Sequence, residues 1–553
     1  MKDRYPSYPS INPSWLVPPA DQPEYLELAG RELPGDANTA TAILAAAPSG
    51  APAIIRHETG ETLSYGDLAR RSARLANVLA RFGVGPGERV AFRSTNRPEA
   101  VLTALAAWRL GAVIVPTSPQ ARAAELRFFL EDTMPRVLVA QRGADLADDV
   151  EPALTGTTVE RVLTFGEAGG DAFEDLDAEV ANASGDFEGS ALDGDSLAII
   201  WHTGGTTGKP KGCYHTQRRF LLGGYAFAGA TGVRTGERWA AGAPIGHALG
   251  FIYHTIFTLL HGATIVTIED FARPETVLQA IAKHEVYAFT AIAASWARML
   301  EAIAADPGLG ELPTLGRAYA MWQSASSTEV YDAWKARGVE LLNNFGSTAF
   351  ATWILVPRVG EPFPPASLGR PSPGYRIQTV DPDAGVVPVG PGEGGRMAVQ
   401  GPTGLTYWRR PELQRRDVVE GWNLVDDLIR FDDQGNAAYL GRTDFIISTA
   451  GYKVAPVEVE EVLARHPAVR EVAVIGTPDP IRQEIVTAFV ALNPGHAECD
   501  WLRKELQDLV KRELSPYKYP RRIEFVEALP RDLVGKVQPR ILKNLVSAPP
   551  VTR

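Results

Sequence analysis

The chain has 553 residues, of which 45% are hydrophobic and 22% charged, so it can bury a large core and is expected to form two or more domains. The net charge of -11 argues against binding nucleic acid or anionic lipid, and without an apolar spanning run or a secretory signal a cytoplasmic location is expected. The two cysteines, Cys213 and Cys499, predict no disulfide framework, and no CxxC or His/Cys cluster predicts a zinc site.

The N-terminal half predicts an extended arm followed by alternating strands and helices. Residues 1–30 are rich in proline, which disfavours a helix, so we expect an arm that lies extended on the surface. Apolar spacing then predicts a helix from Tyr65 to Phe82, and the alternation beyond it is typical of βαβ units in a parallel sheet. The other predicted elements are strands 89–93, 112–116, 263–268 and 288–291, helices 98–110 and 274–284, and a loop at 169–194.

The sequence pattern changes near Tyr375. Short strands and turn pairs predict a β-rich subdomain up to residue 439. A separate unit follows, with predicted strands at 446–453, 472–475 and 485–492 and helices at 457–463 and 500–513. We therefore expect an α/β protein: an N-terminal domain, 31–441, that combines α/β layers with the β-rich subdomain, and a small α+β C-terminal domain, 442–553.

The stretch from Thr203 to Gly212 carries the strongest chemical signal. An apolar run ends there in ten residues that hold four glycines, three threonines and two lysines. Glycine lets backbone N–H groups approach an oxyanion, threonine hydroxyls add donors, and lysine balances phosphate charge, so the stretch predicts an anion-binding loop. The common phosphate loop is excluded, because Pro210 stands where that pattern needs Ser or Thr.

This loop, TGGTTGKPKG, resembles the TSGTTGxPKG signature of the adenylate-forming (ANL) superfamily of acyl-CoA ligases, with Gly204 in place of the usual serine. Further motifs extend the resemblance from about Leu63 to Arg540 in the family's order. It implies the acyl-CoA synthetase fold, with a mobile C-terminal domain, and an adenylate phosphate held at the loop. The loop residues assigned to the nucleotide are Thr203, Gly204, Gly205, Thr206, Thr207, Gly208 and Lys211.

The segment PIGHALG, 244–250, resembles the family's P-x-x-H-x-x-G. The resemblance implies that His247 borders the carboxylate and that the neighbouring residues line the acyl chain. Small residues around it, Gly246 and Gly250 among them, suggest a roomy acyl pocket, with Trp322 and Phe350 as walls. The residues alone leave two alternatives open: a core histidine hydrogen-bonded to backbone, and aromatics in ordinary core packing.

Two further segments are similar to the adenine-binding turn and to the family's Y-G-x-T-E. The second segment, NFGSTA, places Ala349 where the family has a glutamate that binds magnesium. The resemblance also makes Thr206 a candidate metal ligand. The residues assigned to the nucleotide are Ser324, Ala325, Ser326, Asn344, Phe345, Gly346, Ser347 and Thr348.

The last motifs lie around the predicted domain boundary and near the C-terminus. Asp427 stands where the family's aspartate holds the ribose hydroxyls, and Arg442 is expected to reach ribose or phosphate. A surface ion pair is the plain alternative for these two residues. The resemblance assigns the hinge to Asp444, the pantetheine tunnel to Gly451 and Lys453, and the carboxylate and α-phosphate during adenylation to Lys536, with a solvated tail lysine as the alternative for Lys536.

The resemblance implies a two-step reaction with a small-molecule carboxylic acid, acyl-AMP, AMP and coenzyme A, and with ATP and Mg²⁺ if adenylation persists. Gly204 and Ala349 both remove groups that serve the first step, so we expect a ligase that acts mainly on a preformed acyl adenylate supplied by a partner ligase. A complete two-step ligase and a non-catalytic adenylate-binding protein stay open, as does a homodimer. The chain is most similar to bacterial aryl- and 2-aminobenzoate-CoA ligases and, more distantly, to an acyl-CoA ligase of platensimycin-type diterpenoid pathways, which implies antibiotic biosynthesis and a bulky polycyclic acid.

Overall fold

The structure is a computed structural model of the full chain. It describes residues 4–31, 33, 37–143, 146–166, 172–187, 189, 192–203, 210–321, 328–358, 360–364, 367–445, 447–449, 452–479, 482–514, 516–531 and 537–547.

A first seven-stranded sheet carries the anion-binding loop at its edge. Its strands run parallel except for the last, which pairs antiparallel with its neighbour. Across the sheet they are Glu174–Asp175, Arg161–Phe165, Val137–Gln141, Arg89–Arg93, Val113–Thr117, Leu197–Thr203 and Lys211–Thr216. The inner strands are buried throughout, as expected for a parallel sheet covered by helices on both faces.

A second seven-stranded sheet is built in the same way and packs into a shared core with the first. Its strands are Leu341–Asn343, Arg317–Met321, Ala288–Ile292, Arg238–Ala241, Thr264–Thr267, Pro52–Arg56 and Thr62–Ser64, and only the last is antiparallel to its neighbour. Side chains from both sheets meet in one apolar cluster, which includes Phe92, Ile114 and Ile265. The two sheets therefore form one large N-terminal domain.

The helices of this domain begin where the sequence provides caps. Ser64 and Asp67 bond reciprocally across the first turn of helix Tyr65–Arg81, and proline opens helices Pro98–Arg109 and Pro274–Lys283. All three helices were predicted within one residue. The others are Thr39–Leu44, Ala123–Thr133, Glu151–Leu154, Leu176–Ala181, Gln217–Thr231, Phe257–Leu260, Ala293–Ala305 and Thr328–Ala336, with π-helical segments at Leu146–Val150 and Leu249–Ile256.

The β-rich region predicted after Tyr375 is present. A five-stranded antiparallel sheet contains Arg376–Val380, Gly395–Gln400, Val418–Val419, Trp422–Phe431 and Ala437–Arg442, with helix Pro411–Asp417 beside it. A smaller sheet of Phe345–Ser347, Thr352–Val356 and Arg370–Pro371 joins it to the large domain. The pairing of the last two long strands brings Asp427 opposite Arg442.

A small C-terminal domain follows. Its sheet contains Ile447–Thr449, Tyr452–Val454, Val469–Asp479, Gln483–Leu492 and Arg522–Phe525, and its helices are Pro456–Ala464, Asp500–Glu513 and Pro539–Ser547. Its main apolar cluster is drawn entirely from residues 447–523, including Val459, Val490 and Leu506, so this α+β unit has a core of its own. The boundary at residue 442 and the mobility of the domain stay predictions.

Two expectations about irregular regions were wrong. The N-terminal arm forms short 3₁₀ turns at Pro13–Trp15 and Pro19–Asp21, and its apolar side chains, Ile11 and Val17 among them, are buried against the large domain rather than exposed. The acidic segment 169–194 contains strand Glu174–Asp175 and helix Leu176–Ala181, which Asp175 caps by accepting a bond from the N–H of Ala178. In the part of the chain that the structure describes, each helix is too short or too polar to cross a membrane.

Candidate active site

The two strands that flank the anion-binding loop hold its ends together. Thr203 and Lys211 are paired residues of the antiparallel ladder, and the Lys211 ammonium lies 5.9 Å from the centre of the Tyr407 ring. The antiparallel pairing places the two ends of the predicted anion-binding loop side by side. The predicted loop residues between these strands, Gly204, Gly205, Thr206, Thr207 and Gly208, lie outside the described residues.

A buried ionic group that the sequence analysis did not identify anchors the base of this loop. The Nε2 of His202 lies 3.0 Å from a carboxylate oxygen of Asp132, whose other oxygen accepts from Arg410 at 3.0 Å. Burial alone would raise the pKa of Asp132, but its two partners lower it below the ordinary value. The three residues come from distant parts of the chain, so spacing in the sequence could not reveal the group.

On the nucleoside side of the site, the residues assigned to the ribose form a hydrogen-bonded group. Asp427 is 5% exposed, and its two carboxylate oxygens accept from the Tyr439 hydroxyl at 3.0 Å and from Arg442 Nη1 at 3.2 Å. The ring of Phe345 stacks on that of Tyr439 at 6.5 Å between centroids. Burial and the charge of Asp427 raise the pKa of Tyr439 well above its ordinary value, so its hydroxyl stays a donor.

Asp427 and Arg442 therefore form a largely buried pair that belongs to a network, rather than the isolated surface ion pair that the residues alone left open. Tyr439 was missed by the sequence analysis. The signal that could have identified Tyr439 was the pairing of its strand with the strand of Asp427, because residues close in an antiparallel register meet across the sheet.

The phosphate side has fewer polar side chains. The Thr348 carbonyl accepts a bond of 3.0 Å from Nε2 of buried His215. Burial lowers the pKa of His215 to about 4, so the ring that donates is neutral. The Ser347 hydroxyl accepts from the Ala349 N–H at 3.2 Å. Ala349 presents only a methyl group, so the position that the resemblance assigns to magnesium does not fit the ion here. No cluster of three or more metal-ligating side chains occurs among the described residues.

His247 is exposed and lies at the opening of the π-helical segment Leu249–Ile256. Its Nδ1 accepts from the Leu249 N–H at 3.3 Å, which places the proton of the neutral ring on Nε2. Nε2 is then a donor suited to a carboxylate or carbonyl oxygen. The alternative of a core histidine does not describe this exposed side chain.

The glycines around His247 have a different role from the roomy pocket expected. A Cβ on Gly250 would lie 2.4 Å from the Pro244 carbonyl oxygen, and one on Gly246 would lie 2.7 Å from the Thr117 carbonyl oxygen. Both positions are therefore close backbone contacts that only glycine allows. The glycines hold the histidine segment tightly rather than leaving space for the acyl chain.

The remaining predicted residues are divided between core and undescribed regions. Phe350 is fully buried in the cluster beneath the β-rich sheet, where its ring is edge-on to Tyr375 at 6.4 Å, so it packs in the core. Asn344 is 2% exposed and precedes Phe345 directly. The structure places Asp444 in a 3₁₀ turn and Lys453 in a short strand but does not describe their side chains. Trp322, Ser324, Ala325, Ser326, Gly451 and Lys536 lie outside the described residues.

A carboxyl group of the small domain lies beside the nucleoside side. Glu460 sits in helix Pro456–Ala464 and accepts from the Val474 N–H at 2.8 Å. Burial raises its pKa to about 7, and its charge in turn contributes to the raised pKa of Tyr439. The small domain therefore brings a carboxyl group, poorly solvated when ionised, near enough to Tyr439 to affect its pKa.

Comparison with known proteins agrees with this geometry. The AMP-binding enzyme family matches residues 42–408, and the family of the AMP-binding enzyme C-terminal domain matches residues 458–536. Benzoate–CoA ligase of Thauera aromatica is 32% identical over 480 residues, covering 86% of this chain and 89% of the relative. The 3-hydroxybenzoate–CoA ligase of Aromatoleum sp. (strain CIB) is 28% identical and covers 90% of this chain and 94% of the relative.

Solved structures give the same result at the level of the fold. The anthranilate CoA ligase AuaEII in complex with anthranoyl-AMP superposes with a TM-score of 0.81 at 25% identity, covering 93% of this chain and 98% of that one. A benzoate CoA ligase from Burkholderia xenovorans LB400 superposes with a TM-score of 0.81 at 26% identity, covering 92% and 99%. An adenylate is therefore bound in one protein of this architecture.

Proposed function

The chain belongs to the family of AMP-binding enzymes and is an acyl-CoA ligase, and within that family we propose that it acts mainly in the second half-reaction, from acyl adenylate to CoA thioester. Ligases of this kind use ATP, Mg²⁺ and CoA and form acyl-AMP on the way. Ala349 is the observation that carries the proposal, because a methyl group replaces the carboxylate that the resemblance assigns to the metal. Gly204 supports it by removing a hydroxyl from the phosphate loop.

The two half-reactions place different demands on the protein. In the first, a carboxylate oxygen attacks the α-phosphorus of ATP and pyrophosphate leaves, which concentrates negative charge and depends on fixed donors and cations. In the second, the thiol sulfur attacks the acyl carbonyl carbon, the carbonyl-carbon bond to the adenylate oxygen breaks, AMP leaves and the thiol proton passes to solvent. The second step depends chiefly on orientation of the two reactants.

The described side chains suit the second step. Asp427, held by Tyr439 and Arg442, presents carboxylate oxygens for the ribose hydroxyls and would fix the adenylate at its nucleoside end. His247, with its proton on Nε2, would donate to the acyl carbonyl oxygen as negative charge develops on it. Neither contribution needs the carboxylate that Ala349 replaces.

The first experiment compares two starting materials for the same product. We expect wild-type protein to form CoA thioester from synthetic acyl-AMP at least about 100 times faster than from the free acid with ATP and Mg²⁺, because loss of one group that stabilises the transition state typically costs about 10²- to 10³-fold. Equal rates would contradict the proposal and favour the complete two-step ligase. No thioester from either mixture would favour a non-catalytic adenylate-binding protein.

Restoration of the missing groups is the complementary test. The double variant Gly204→Ser, Ala349→Glu should release pyrophosphate from ATP and acid at least about 10 times faster than wild type, with the acyl-AMP rate unchanged within about threefold. A control that moves the two substitutions to neighbouring positions, Gly205→Ser with Ala351→Glu, is unsuitable. Ala351 has a positive φ of 46°, in which a glutamate would be strained. Ala349→Gln with Gly204→Ser is the matched control, because its neutral amide cannot replace the carboxylate charge.

The class of acid substrate is proposed from the acids in the names of similar ligases. Benzoate, 3-hydroxybenzoate and anthranilate appear in the names of similar ligases, so we propose an aryl acid as the first substrate class for the panel. A polycyclic acid of the kind implied by the resemblance to diterpenoid ligases is the second. A ligase that begins at acyl-AMP also requires a source of adenylate, so we propose a separate adenylating ligase as its functional partner.

A second candidate function has one observation in its favour. Lys536 matches the residue that the resemblance assigns to adenylation, and a chain without that activity does not need it. The complete two-step ligase therefore stays the competing proposal. The variant Lys536→Ala separates the two in the reaction that starts from free acid, ATP and CoA: the rate should fall by at least about 10-fold if the protein is a complete two-step ligase, and should change by less than about threefold if it acts mainly in the second half-reaction.

A further inference from the structure

Unpaired polar groups gather at the inner end of the histidine segment. His254 lies in the π-helical segment Leu249–Ile256, is 2% exposed, and has no hydrogen-bond partner for either ring nitrogen within the described part of the chain. Trp353 is fully buried with its indole N–H likewise unpaired among the described residues, and the two rings lie 5.8 Å apart. A buried polar group without a partner is destabilising, so two neighbours of this kind call for a ligand.

His254 borders a small cavity next to the histidine segment. The cavity has a volume of about 20 Å³, and Ala243, Ile245 and Gly250, which flank His247 in the chain, also line it. A space of this size holds about one water-sized group. The cavity therefore accepts a single oxygen or nitrogen atom at the end of a bound molecule, rather than a further ring.

The charge state of His254 limits what that atom can be. Burial lowers the pKa of His254 to about 3, so the imidazole is neutral at physiological pH, with one nitrogen as donor and the other as acceptor. A neutral ring offers no compensation for an ionised substituent in a buried cavity. A hydroxyl group, which both donates and accepts, satisfies the imidazole best.

Trp353 lies beside His254, outside the lining of this cavity. A Cβ on Gly346 would lie 2.7 Å from Cδ1 of Trp353, the ring atom bonded to the indole nitrogen, and 3.1 Å from the hydroxyl oxygen of Tyr253. Gly346 belongs to the segment that the sequence analysis assigned to the nucleotide. The polar edge of Trp353 thus lies between that segment and the ring of His254.

We propose that the acid accepted by this protein carries a neutral hydroxyl group at the end of its acyl moiety remote from the carboxylate, and that His254 is the residue that selects it. The proposal rests on the acyl-CoA ligase function stated above. An unsubstituted acyl group would leave His254 without a partner, and a site built to bond a substrate hydroxyl rejects the analogue that lacks it.

The test measures binding rather than turnover. Full-length protein is titrated by calorimetry with unreactive acyl-sulfamoyl adenosines in matched pairs: benzoyl with 3- and 4-hydroxybenzoyl, cyclohexanecarbonyl with its 3- and 4-hydroxy forms, and decalincarbonyl with its ring-hydroxylated isomers. At least one hydroxylated member should bind about 10-fold or more tightly than its parent. Equal affinities in every pair would overturn the proposal and leave the cavity to a water molecule.

Variants locate the preference in His254. His254→Leu removes both ring nitrogens at similar volume and should reduce the affinity ratio to within about twofold, whereas His254→Gln keeps a donor and an acceptor and should retain it. His284→Leu is the matched control, since His284 is also buried with an unpaired Nε2 among the described residues but packs against His57. An unchanged ratio in His254→Leu, with a folded protein by thermal melting, would overturn the proposal.

The two proposals fail separately in this design. The sulfamoyl analogues need neither ATP nor CoA, so a protein that makes no thioester still reports the affinity ratio. Thioester formation without any preference for a hydroxyl would leave the proposed function standing and reject the role of His254.

Discussion

The nucleoside side and the phosphate side of the site differ in how completely their polar groups are arranged. On the nucleoside side, Asp427 is held by Tyr439 and Arg442, and each of its oxygens has a named partner. On the phosphate side, the turn at Ser347 and Ala349 is held by a backbone N–H and a hydroxyl, and Ala349 contributes no polar atom. The side chain assigned to the ribose therefore has its polar partners in place, whereas the position assigned to the metal carries no polar side chain.

This difference cannot arise from general loss of structure. The backbone of the phosphate side is still fixed, because buried His215 bonds the Thr348 carbonyl at 3.0 Å. The altered residue is therefore presented on an ordered turn, where a restored carboxylate would have a defined position. A site that had merely decayed would be expected to lose such supports as well.

The largest effect is expected from Asp427→Ala. Removal of a carboxylate that accepts hydroxyl hydrogen bonds in a buried network, and that leaves Arg442 without this partner, should lower kcat/KM for acyl-AMP by about 100-fold or more. Asp426→Ala is the matched control. Asp426, in the same strand, pairs with Arg396 at 2.8 Å and lies 3.8 Å from Arg442, so its loss removes a neighbouring charge from Arg442 but no predicted ribose contact and should cost less than about fivefold. Thioester release measures both rates. Equal losses of kcat/KM in the two variants would show that Asp427 has no special role in binding the nucleoside.

The sequence predicted most of the fold and, of the two sides of the site compared above, part of the nucleoside side. Strand 89–93 and helix 500–513 have the predicted bounds, because period and caps are local signals. The Asp427 and Arg442 positions were identified from motifs, but Tyr439 was not, because its role depends on strand register. The Asp132 and His202 pair was also missed, since 70 residues separate its members and no local pattern links them.

A second prediction concerns the carboxyl group that the small domain places beside the nucleoside side. The pKa of Glu460 is raised from 4.5 to about 7 by burial. Below pH 4.5 the group is protonated in the folded and unfolded states alike, and as pH rises toward 7 the folded state holds a proton that the unfolded state releases, so stability falls. Above pH 7 the penalty is complete and constant.

Glu460→Gln should therefore stabilise the protein by about 1 to 2 kcal/mol at pH 8 and by little at pH 4.5, since the amide keeps the bond from the Val474 N–H without a charge. Denaturant unfolding at the two pH values measures the difference. Glu498→Gln is the control, because the Glu498 side chain is 67% exposed. A stabilisation that is the same at both pH values would show that the charge of Glu460 does not destabilise the folded protein.

The smallest effect is expected from Ser347→Ala, on the phosphate side. The Ser347 hydroxyl accepts one neutral bond, from the Ala349 N–H at 3.2 Å, and a bond of this kind contributes about 0.5 to 1.5 kcal/mol. If the phosphate side serves mainly the first half-reaction, Ser347→Ala should lower kcat/KM for acyl-AMP by only about threefold. In the Gly204→Ser, Ala349→Glu background the same substitution should slow pyrophosphate release by at least about 10-fold, because there the turn positions the restored carboxylate. A loss from acyl-AMP as large as that of Asp427→Ala would instead make the phosphate side essential to thioester formation, and the contrast between the two sides would no longer explain the division of the reaction.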